Sequence, residues 1–367
     1  MIQKKLAETK NQHYVPQFYQ RFFSADANHK TIGAYVVDRR KYIPNAPIKN
    51  QSSGDYFYSS NQKIEDALCQ LEILASRVIG LINSNPIEKL SKEDAYALYV
   101  FTFMQIGRTL DRVNFIQELT DKITRNLLKK YVEVERNTDS ARDVEQITDE
   151  VIDSIEVELT EPGLFTLGNH AQLVNTCIDL KMKVLINRTG CPFITSDNPA
   201  CMYSMFLERV GECTYAFGSK GLMFYMPISK DVAVIYYDSQ CYKMGYKKKD
   251  YVEVTQKDDV INLNTLTACY ANKMLYCLDG SISERELEEY ATKREKIRPK
   301  DRVETIGGIK TDKGEIIGTF TTSIYCNLRL SFIKELPIPK AITKINYNPA
   351  YHRLRPIAYL KDQLIIN

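Results

Sequence analysis

Tryptophan is absent from this 367-residue sequence, and histidine is scarce, with four residues at positions 13, 29, 170 and 352. The sequence also lacks the phosphate-binding loop GxxxxGK(S/T), the dinucleotide fingerprint GxGxxG, the zinc motif HExxH and the nucleophile elbow GxSxG. These absences argue against a histidine-rich metal centre and against the common nucleotide-binding and esterase signatures.

Cysteine is present, but in a pattern that supports neither disulfides nor zinc. The nine cysteines are an odd number, and no two of them form a CxxC pair. Disulfide frameworks are typical of short secreted chains with even counts, and structural zinc sites need closely spaced pairs. We therefore expect free thiols in a reducing cytoplasm.

No segment of the sequence predicts a membrane anchor. The first ten residues lack the apolar core of a signal peptide, and the most apolar helical stretch, about 96–106, is roughly half the length that spans a bilayer. Hydrophobic residues make up 44% of the chain, charged residues 26%, and the net charge is +3. We expect a cytoplasmic globular protein whose small net charge does not by itself indicate nucleic-acid binding.

Helical periodicity dominates the N-terminal half. Apolar residues at helical spacing predict a helix over 62–83, and a capping serine, Ser91, begins a second helix that we expect to run to about Tyr131. Gly107 lies in the middle of that second helix, where glycine costs about 1 kcal/mol relative to alanine. A close approach by another element would explain this glycine.

The C-terminal half has the patterning of strands. Eleven acidic residues against two basic ones over 133–161 predict an exposed acidic helical insertion that ends at Pro162-Gly163. Beyond it, β-branched and aromatic runs predict short strands, with KVLINR and PFITSDNP joined as a hairpin through Thr189-Gly190. The sequence therefore predicts an α+β protein, in which a helical N-terminal half packs on a mainly antiparallel β C-terminal half.

His13 lies in the aromatic segment HYVPQFYQRFF, in which Pro16 limits backbone freedom. A histidine held in this way suits a general base or a ligand. The same residue could instead satisfy a buried carbonyl group while the neighbouring aromatic side chains pack.

Glu65 and Glu72 are seven residues apart and share one face of the first predicted helix. Paired carboxylates can bind a divalent cation or divide acid and base work between them. On an amphipathic helix, such a pair is more often the solvent-exposed edge.

Gln105, Arg108 and Arg112 have spacings of three and four residues, which would place them on one face of the second predicted helix. The planar guanidinium group binds phosphate or carboxylate in a bidentate manner, so this face could hold a phosphate. The alternative is an ion pair between an arginine and Glu65 or Glu72.

The motif Ser196-Asp197-Asn198-Pro199 follows an apolar run at the end of a predicted strand. An aspartate in that position can be a metal ligand or a base. Asp and Asn before proline also form turns by hydrogen bonding to their own backbone, so a turn is the alternative.

Together these segments resemble the bacterial domain-of-unknown-function family DUF4238 over about residues 11–280. The matching motifs are QHYVPQFY (12–19), YFY (56–58), the glutamates at 65 and 72, QIGRT (105–109), TSDNP (195–199) and PIS (227–229). Where the family usually has a proline after the Arg-Thr pair, this chain has Leu110. The acidic insertion and the tail from about Ser281 lie outside the resemblance.

The resemblance implies a stand-alone bacterial protein, and some members of the family are associated with defence against phage. We expect a family-like core over 11–280, including the acidic insertion, and a C-terminal β-rich extension over 281–367. The extension is basic, with seven lysines and arginines between 329 and 361.

The leading hypothesis is a phage-defence effector, of the abortive-infection type, that cleaves or modifies nucleic acid. The catalytic residues would be His13, Glu65, Glu72 and Asp197, with the three carboxylates holding Mg²⁺ or Mn²⁺. The substrate would be positioned by Tyr14, Gln105, Arg108, Arg112 and Asn198.

Two other hypotheses remain open at this point. In one, the polar face belongs to a non-catalytic sensor that binds a phage protein, as a trigger, or a nucleotide-like ligand. In the other, the motifs only specify the fold, and Arg108 forms a buried pair with Glu65 or Glu72.

Overall fold

The computed structural model describes residues 10–137, 144, 146–211, 214–299, 303–311 and 314–337. The helices within these ranges are α1 (Gln17–Arg21), α2 (Gln62–Ser84), α3 (Lys92–Gly107), α4 (Leu110–Glu135), α5 (Asp149–Asp153), α6 (Pro162–Leu173), α7 (Met205–Val210), α8 (Lys257–Tyr270) and α9 (Glu284–Ile297). The strands are β1 (Asn11–His13), β2 (Thr31–Val36), β3 (Lys41–Pro47), β4 (Ser53–Asp55), β5 (Lys181–Asn187), β6 (Thr195–Ser196), β7 (Cys201–Tyr203), β8 (Met223–Pro227), β9 (Val232–Tyr237), β10 (Tyr242–Met244), β11 (Tyr251–Val254), β12 (Met274–Cys277), β13 (Val303–Thr311), β14 (Gly314–Thr321) and β15 (Ile333–Glu335).

The two larger sheets are mainly antiparallel. One has five strands in the order β11-β5-β9-β8-β7, and the other has four in the order β3-β2-β12-β6. Within them, the pairing of β11 with β5 is parallel and the others are antiparallel. Since the longer helices lie mostly in the N-terminal half and most strands follow them, the predicted α+β class is confirmed.

The core lies between the five-stranded sheet and the long N-terminal helices. Every residue of β8 and β9 is buried, and α3 packs on β8 with Phe101 and Phe103 wholly inside. Complete burial of one such aromatic side chain contributes about 1.5–3 kcal/mol. This packing fixes α3, and with it the residues at its C-terminal end.

Helix α2 matches its predicted extent closely. The Asn61 side chain caps its first turn by accepting from the Lys63 N–H, and Asn85 follows its last residue. It is the one helix in the described ranges that is long and apolar enough to cross a membrane, which is weak support for a span, because core helices also meet that test. Its inner face, from Leu68 to Ile82, is buried in the core.

The predicted length of the second helix is wrong, because the structure has two shorter helices, α3 and α4, in its place. α3 ends at Gly107, Arg108 leaves the helical conformation with φ −102° and ψ 19°, and α4 begins at Leu110. The Thr109 side chain caps α4 by accepting from the Arg112 N–H. Leu110 is therefore the first residue of a helix, the position at which proline is favoured.

Gly107 has the close neighbour that its sequence position suggested. α6 crosses α3 at this point, and a Cβ added to Gly107 would lie 2.1 Å from Cγ of His170. Only glycine lets the His170 ring lie against the helix backbone here.

Other predicted boundaries were also wrong. Pro162-Gly163 begins α6 and does not end a helix, since Pro162 occupies its first position. The predicted hairpin does not form: β5 pairs with β9 and β11, whereas β6 pairs with β12 in the other sheet. In both cases long-range packing overrides the local pattern.

Two predicted segments lie partly outside the described residues. Of the acidic insertion, the structure describes the end of α4 and the short helix α5, but not 138–143 or 145. Of the basic tail, residues 338–367 lie outside the described ranges.

Candidate functional site

A polar pocket of about 230 Å³ opens between the N-terminal segment, α2 and the break that separates α3 from α4. We call it the His13 pocket. Four residues that the sequence singled out line it, namely His13, Glu65, Glu72 and Arg108. Gln12, Gln17 and Tyr58 also contribute to its wall.

Arg108 forms the back wall of the His13 pocket and is 1% exposed. Its Nη2 donates to Glu72 Oε1 at 2.7 Å and to the His13 carbonyl oxygen at 3.0 Å. Its Nε donates to the Tyr58 hydroxyl at 2.9 Å, and that hydroxyl donates in turn to the Arg108 carbonyl oxygen. Nη1 has no hydrogen-bond partner among the described residues. Arg108 thus ties three segments together around the pocket.

The two glutamates of α2 have different surroundings. Glu72 forms an ion pair with Arg108, with 2.7 Å between Oε1 and Nη2. Burial, and then the nearby Glu72 charge, raise the pKa of Glu65 above its usual range. A carboxyl group whose pKa is raised by its surroundings is suited to act as a general acid.

His13 ends β1 and presents its ring to the same pocket. Its Nε2 lies 3.2 Å from the carbonyl oxygen of Lys49. Because a carbonyl oxygen only accepts, Nε2 carries the proton and Nδ1 carries the lone pair. Burial lowers the pKa of His13, although Glu72 opposes this effect. A neutral imidazole with a lone pair at Nδ1 is a competent general base.

Asp197 does not line the pocket that contains Glu65 and Glu72. The structure therefore does not support the predicted metal site of three carboxylates. Its carboxylate accepts from the backbone N–H groups of Asn272, Lys273 and Met274 at 2.8, 2.7 and 3.1 Å. Burial raises the pKa of Asp197 to about 6, while these N–H groups favour its charged form. Among the described residues, no three His, Cys, Asp or Glu side chains are arranged to hold a metal ion.

Gln105 and Tyr14 lie behind the pocket and support its wall. Gln105 is fully buried, and its Nε2 donates to the Tyr14 carbonyl oxygen at 2.7 Å. The Tyr14 ring packs against Phe57, with 5.0 Å between ring centroids. Both residues hold the His13 segment against α3, and neither lines the pocket.

Arg112 and Asn198 lie in a different place, lining a separate cavity. Asn198 Nδ2 donates to the Tyr270 carbonyl oxygen and to Asp111 Oδ2. The expectation that Gln105, Arg108 and Arg112 share one face was wrong, because the helix break at Arg108 changes the direction in which Arg112 projects.

A basic groove adjoins the His13 pocket and was not predicted from the sequence. It has a volume of about 770 Å³, and its lining includes Arg21, His29, Lys30 and Lys49 but no carboxylate. Gln17 lines both the groove and the pocket. The basic residues come from the end of α1, a loop and a short 3-10 helix at 48–50, so no periodicity in the sequence could have grouped them.

The loop that carries Lys30 is folded by an aspartate. The Asp26 carboxylate accepts from the backbone N–H groups of Asn28, Lys30 and Thr31. These bonds lower the pKa of Asp26, with the Thr31 hydroxyl making the largest contribution. Asp26 thereby fixes the shape of the basic groove without lining it.

Residues 11–281 match the model of the family described as "Protein of unknown function (DUF4238)". The chain belongs to this family. The match includes every residue named above in the His13 pocket and the basic groove, and it ends just before α9, which begins at Glu284. No curated protein and no solved structure matches the chain.

Tyr58 is one of the residues of the His13 pocket that reasoning from the sequence did not single out. It lies in the YFY motif that follows the N-terminal segment, and its hydroxyl links Arg108 Nε to the Arg108 carbonyl group. Its place in the YFY motif was the feature of the sequence that could have identified it as a pocket residue. The pocket therefore combines a neutral histidine, a carboxyl group of raised pKa and a fixed ion pair.

Proposed function

We propose that this DUF4238 protein is a phage-defence effector that cleaves nucleic acid in the His13 pocket by acid–base chemistry. One observation carries the proposal: the basic groove lies next to the His13 pocket, and the two share a lining residue. Gln17 lines both, and Lys49 lines the groove while its carbonyl oxygen accepts from His13 Nε2. A phosphate chain bound along the groove would therefore pass the imidazole.

The basic groove supports a polyanionic substrate. None of Arg21, Lys30 or Lys49 has a carboxylate partner among the described residues, so their charges are available to phosphates. Lysine and arginine contacts to phosphates supply most sequence-independent affinity for nucleic acid, and they weaken steeply as salt rises.

The His13 pocket supplies the two proton transfers that phosphodiester cleavage needs. His13 Nδ1 would accept the proton of the attacking hydroxyl group, as the new P–O bond forms. Protonated Glu65 would donate its proton to the leaving oxygen, as the old P–O bond breaks. The Glu72–Arg108 pair would hold His13 in place through its carbonyl group. No step is assigned to Mg²⁺ or Mn²⁺, because the pocket offers only two of the three predicted carboxylates.

Cleavage of end-labelled RNA and DNA by the purified protein tests this proposal, in EDTA and separately in Mg²⁺ or Mn²⁺. We expect cleavage of at least one substrate to persist in EDTA and to be lost in His13→Ala. Lys30→Ala and Lys49→Ala should weaken binding and reduce its salt dependence, whereas the control Lys247→Ala, at an exposed position outside the groove, should not. Intact substrates under every condition would reject the catalytic proposal.

The role in defence is supported by the family resemblance alone, and it needs its own test. Bacteria that express the chain should plate phage less efficiently than bacteria with an empty vector, and His13→Ala should abolish the protection. Protection that survives in His13→Ala, together with no measurable cleavage, would favour the non-catalytic sensor. Equal plating with and without the chain would reject the defence role.

A further inference from the structure

The wall of the His13 pocket offers a base and an acid but few side chains that could attack phosphorus. Among the described residues, no serine, threonine or lysine lines it. Apart from the histidine and the carboxyl groups, two lining side chains could become nucleophiles, Tyr58 and Cys69. The surroundings of both groups make them poor nucleophiles.

The Tyr58 hydroxyl group is occupied, and the Cys69 thiol is not activated. The hydroxyl accepts from Arg108 Nε and donates to the Arg108 carbonyl oxygen, both at 2.9 Å. Burial raises the pKa of Tyr58 to about 12, although the Arg108 charge opposes this effect. Cys69 is exposed, and no side chain in the described ranges hydrogen bonds to its thiol to help deprotonate it. The attacking oxygen therefore comes from water or from the substrate.

A hydroxyl group of the substrate has a large advantage over water as the nucleophile. RNA carries a 2′-hydroxyl group next to each phosphodiester, whereas DNA has none. A hydroxyl group tethered in this way can react with an effective concentration of about 10⁵–10⁸ M, because its approach costs no further translational freedom. What such a reaction still needs is a proton acceptor for the attacking oxygen and a proton donor for the leaving oxygen.

The two proton-transfer groups of the pocket come from different parts of the fold. His13 ends β1, and Glu65 lies in the first turn of α2. In-line displacement places the attacking and leaving oxygens on opposite sides of phosphorus, so a base and an acid from separate elements suit it. The adjacent basic groove would bind further phosphates of the same strand.

We infer that the substrate is RNA and that its own 2′-hydroxyl group is the nucleophile, an inference that rests on the proposed cleavage in the His13 pocket. The 2′-oxygen forms a bond to phosphorus as His13 Nδ1 takes its proton. The bond from phosphorus to the 5′-oxygen breaks, and that oxygen leaves with the proton of Glu65. One product ends in a 2′,3′-cyclic phosphate, and the other begins with a 5′-hydroxyl group. Proton exchange with solvent then restores both side chains.

Single substitutions in an end-labelled RNA test the inference. Once the main cleavage site of the wild-type chain has been mapped, the ribose on the 5′ side of that bond is replaced by 2′-deoxyribose or by 2′-O-methylribose. We expect cleavage at that bond to fall at least about 100-fold in both substrates, with affinity by fluorescence anisotropy within about threefold of the parent RNA. Mass spectrometry of the parent reaction at early times should find 2′,3′-cyclic phosphate and 5′-hydroxyl ends. Because the substrate is altered and not the protein, this test does not depend on the folding of a variant.

An RNA with sulfur in place of the bridging 5′-oxygen tests the part assigned to Glu65. Sulfur departs without a proton, so Glu65→Gln should cleave this substrate within about tenfold of the wild-type rate, although it cleaves ordinary RNA about 10²–10⁴-fold more slowly. A merely structural role would slow both reactions alike. Equal losses on the two substrates would therefore show that Glu65 does not protonate the leaving oxygen.

Failure of the inference and failure of the proposed function are distinguishable. His13-dependent cleavage of DNA, or of the 2′-deoxy or 2′-O-methyl bond at the rate of the parent RNA, would keep the proposed cleavage and overturn the inference, with water or Cys69 as the nucleophile. No cleavage of any substrate would overturn the proposed function and the inference with it.

Discussion

Arg108 and Glu72 form an ion pair, with 2.7 Å between Nη2 and Oε1, in which the arginine side chain is 1% exposed and the glutamate 28% exposed. The pair joins the break after α3 to the inner face of α2 and borders the His13 pocket. The structural and the functional hypotheses for these motifs are therefore compatible. The pair builds the wall, and in the proposed reaction His13 and Glu65 carry out the proton transfers.

Arg108→Ala should destabilise the fold strongly. The substitution removes donors from Glu72, Tyr58 and the His13 carbonyl group, and it leaves Glu72 without its partner. Breaking a buried pair in this way costs about 3–5 kcal/mol of unfolding free energy. Urea denaturation measures this loss. The control Arg285→Ala, which removes an exposed pair with Glu289, should change the value by less than about 0.5 kcal/mol. A change in Arg108→Ala no larger than in the control would show that the pair contributes little.

Gly107→Ala should destabilise the chain although alanine is the better helix former. The added Cβ would meet the His170 ring at 2.1 Å, so α6 must move away from α3. Overpacking of this kind typically costs about 1–3 kcal/mol. Gly80→Ala on α2 is the matched control, because nothing lies within 4 Å of the added carbon; it should stabilise by up to about 1 kcal/mol. Thermal unfolding of both variants makes the comparison, and an unchanged or higher melting temperature for Gly107→Ala would contradict the observed packing.

His170 should make stability depend on pH. Its pKa is about 4 in the folded chain and 6.5 as its ordinary value, so the unfolded chain binds the extra proton between these values. Folded-state stability contributed by His170 is therefore lost as pH falls from 6.5 to 4, by about 3 kcal/mol in total. Asp197 has the opposite sign, because its pKa is raised to about 6 and its contribution falls as pH rises from 3.8.

The His170 contribution can be isolated with His170→Asn. As pH falls from 6.5 to 4, the wild type should lose up to about 3 kcal/mol more unfolding free energy than the variant, since the variant has no imidazole to protonate. Denaturant titrations at several pH values measure the difference. Parallel curves for the two proteins over this range would show that the imidazole does not titrate as the burial of its ring implies.

The rate of cleavage should pass through a maximum as pH rises. His13 must be neutral to act as a base, so the rate rises as pH passes the pKa of His13, which burial lowers. Glu65 must be protonated to act as an acid, so the rate falls as pH passes the pKa of Glu65, which burial raises. In Glu65→Gln the descending limb should disappear and the maximal rate should drop about 10²–10⁴-fold. A wild-type rate that keeps rising to pH 9 would assign the acid to another group.

The elements with a strong local signal were predictable from the sequence. The extent of α2 followed from its apolar spacing, and the start of α3 followed from Ser91, whose side chain accepts from the Asp94 N–H. His13, Glu65 and Arg108 all belong to motifs that the family resemblance rests on, and the structure brings the three residues to one pocket. Tyr58, in the same set of motifs, completes the wall.

The remainder depends on contacts that no local pattern encodes. The break at Arg108 lies inside an apolar run, and the one hint of it was the proline that the family usually has where this chain has Leu110. Because this break was not predicted, Arg112 was expected on the same helix face as Gln105 and Arg108. Asp197 resembled a catalytic residue at a strand end, but its carboxylate holds the backbone that links α8 to β12. Which sheet a strand such as β6 joins is likewise set by long-range pairing.

The most direct measurement of the central claim is paired RNA and DNA binding and single-turnover cleavage by the wild-type chain and His13→Ala, with His29→Ala as a matched control. His29 lines the basic groove but not the His13 pocket. We predict that His13→Ala keeps its affinity for the substrate within about threefold and cleaves it at least about 100-fold more slowly, while His29→Ala cleaves bound substrate at the wild-type rate. Equal cleavage by the wild type and His13→Ala, or no cleavage by either, would contradict the account.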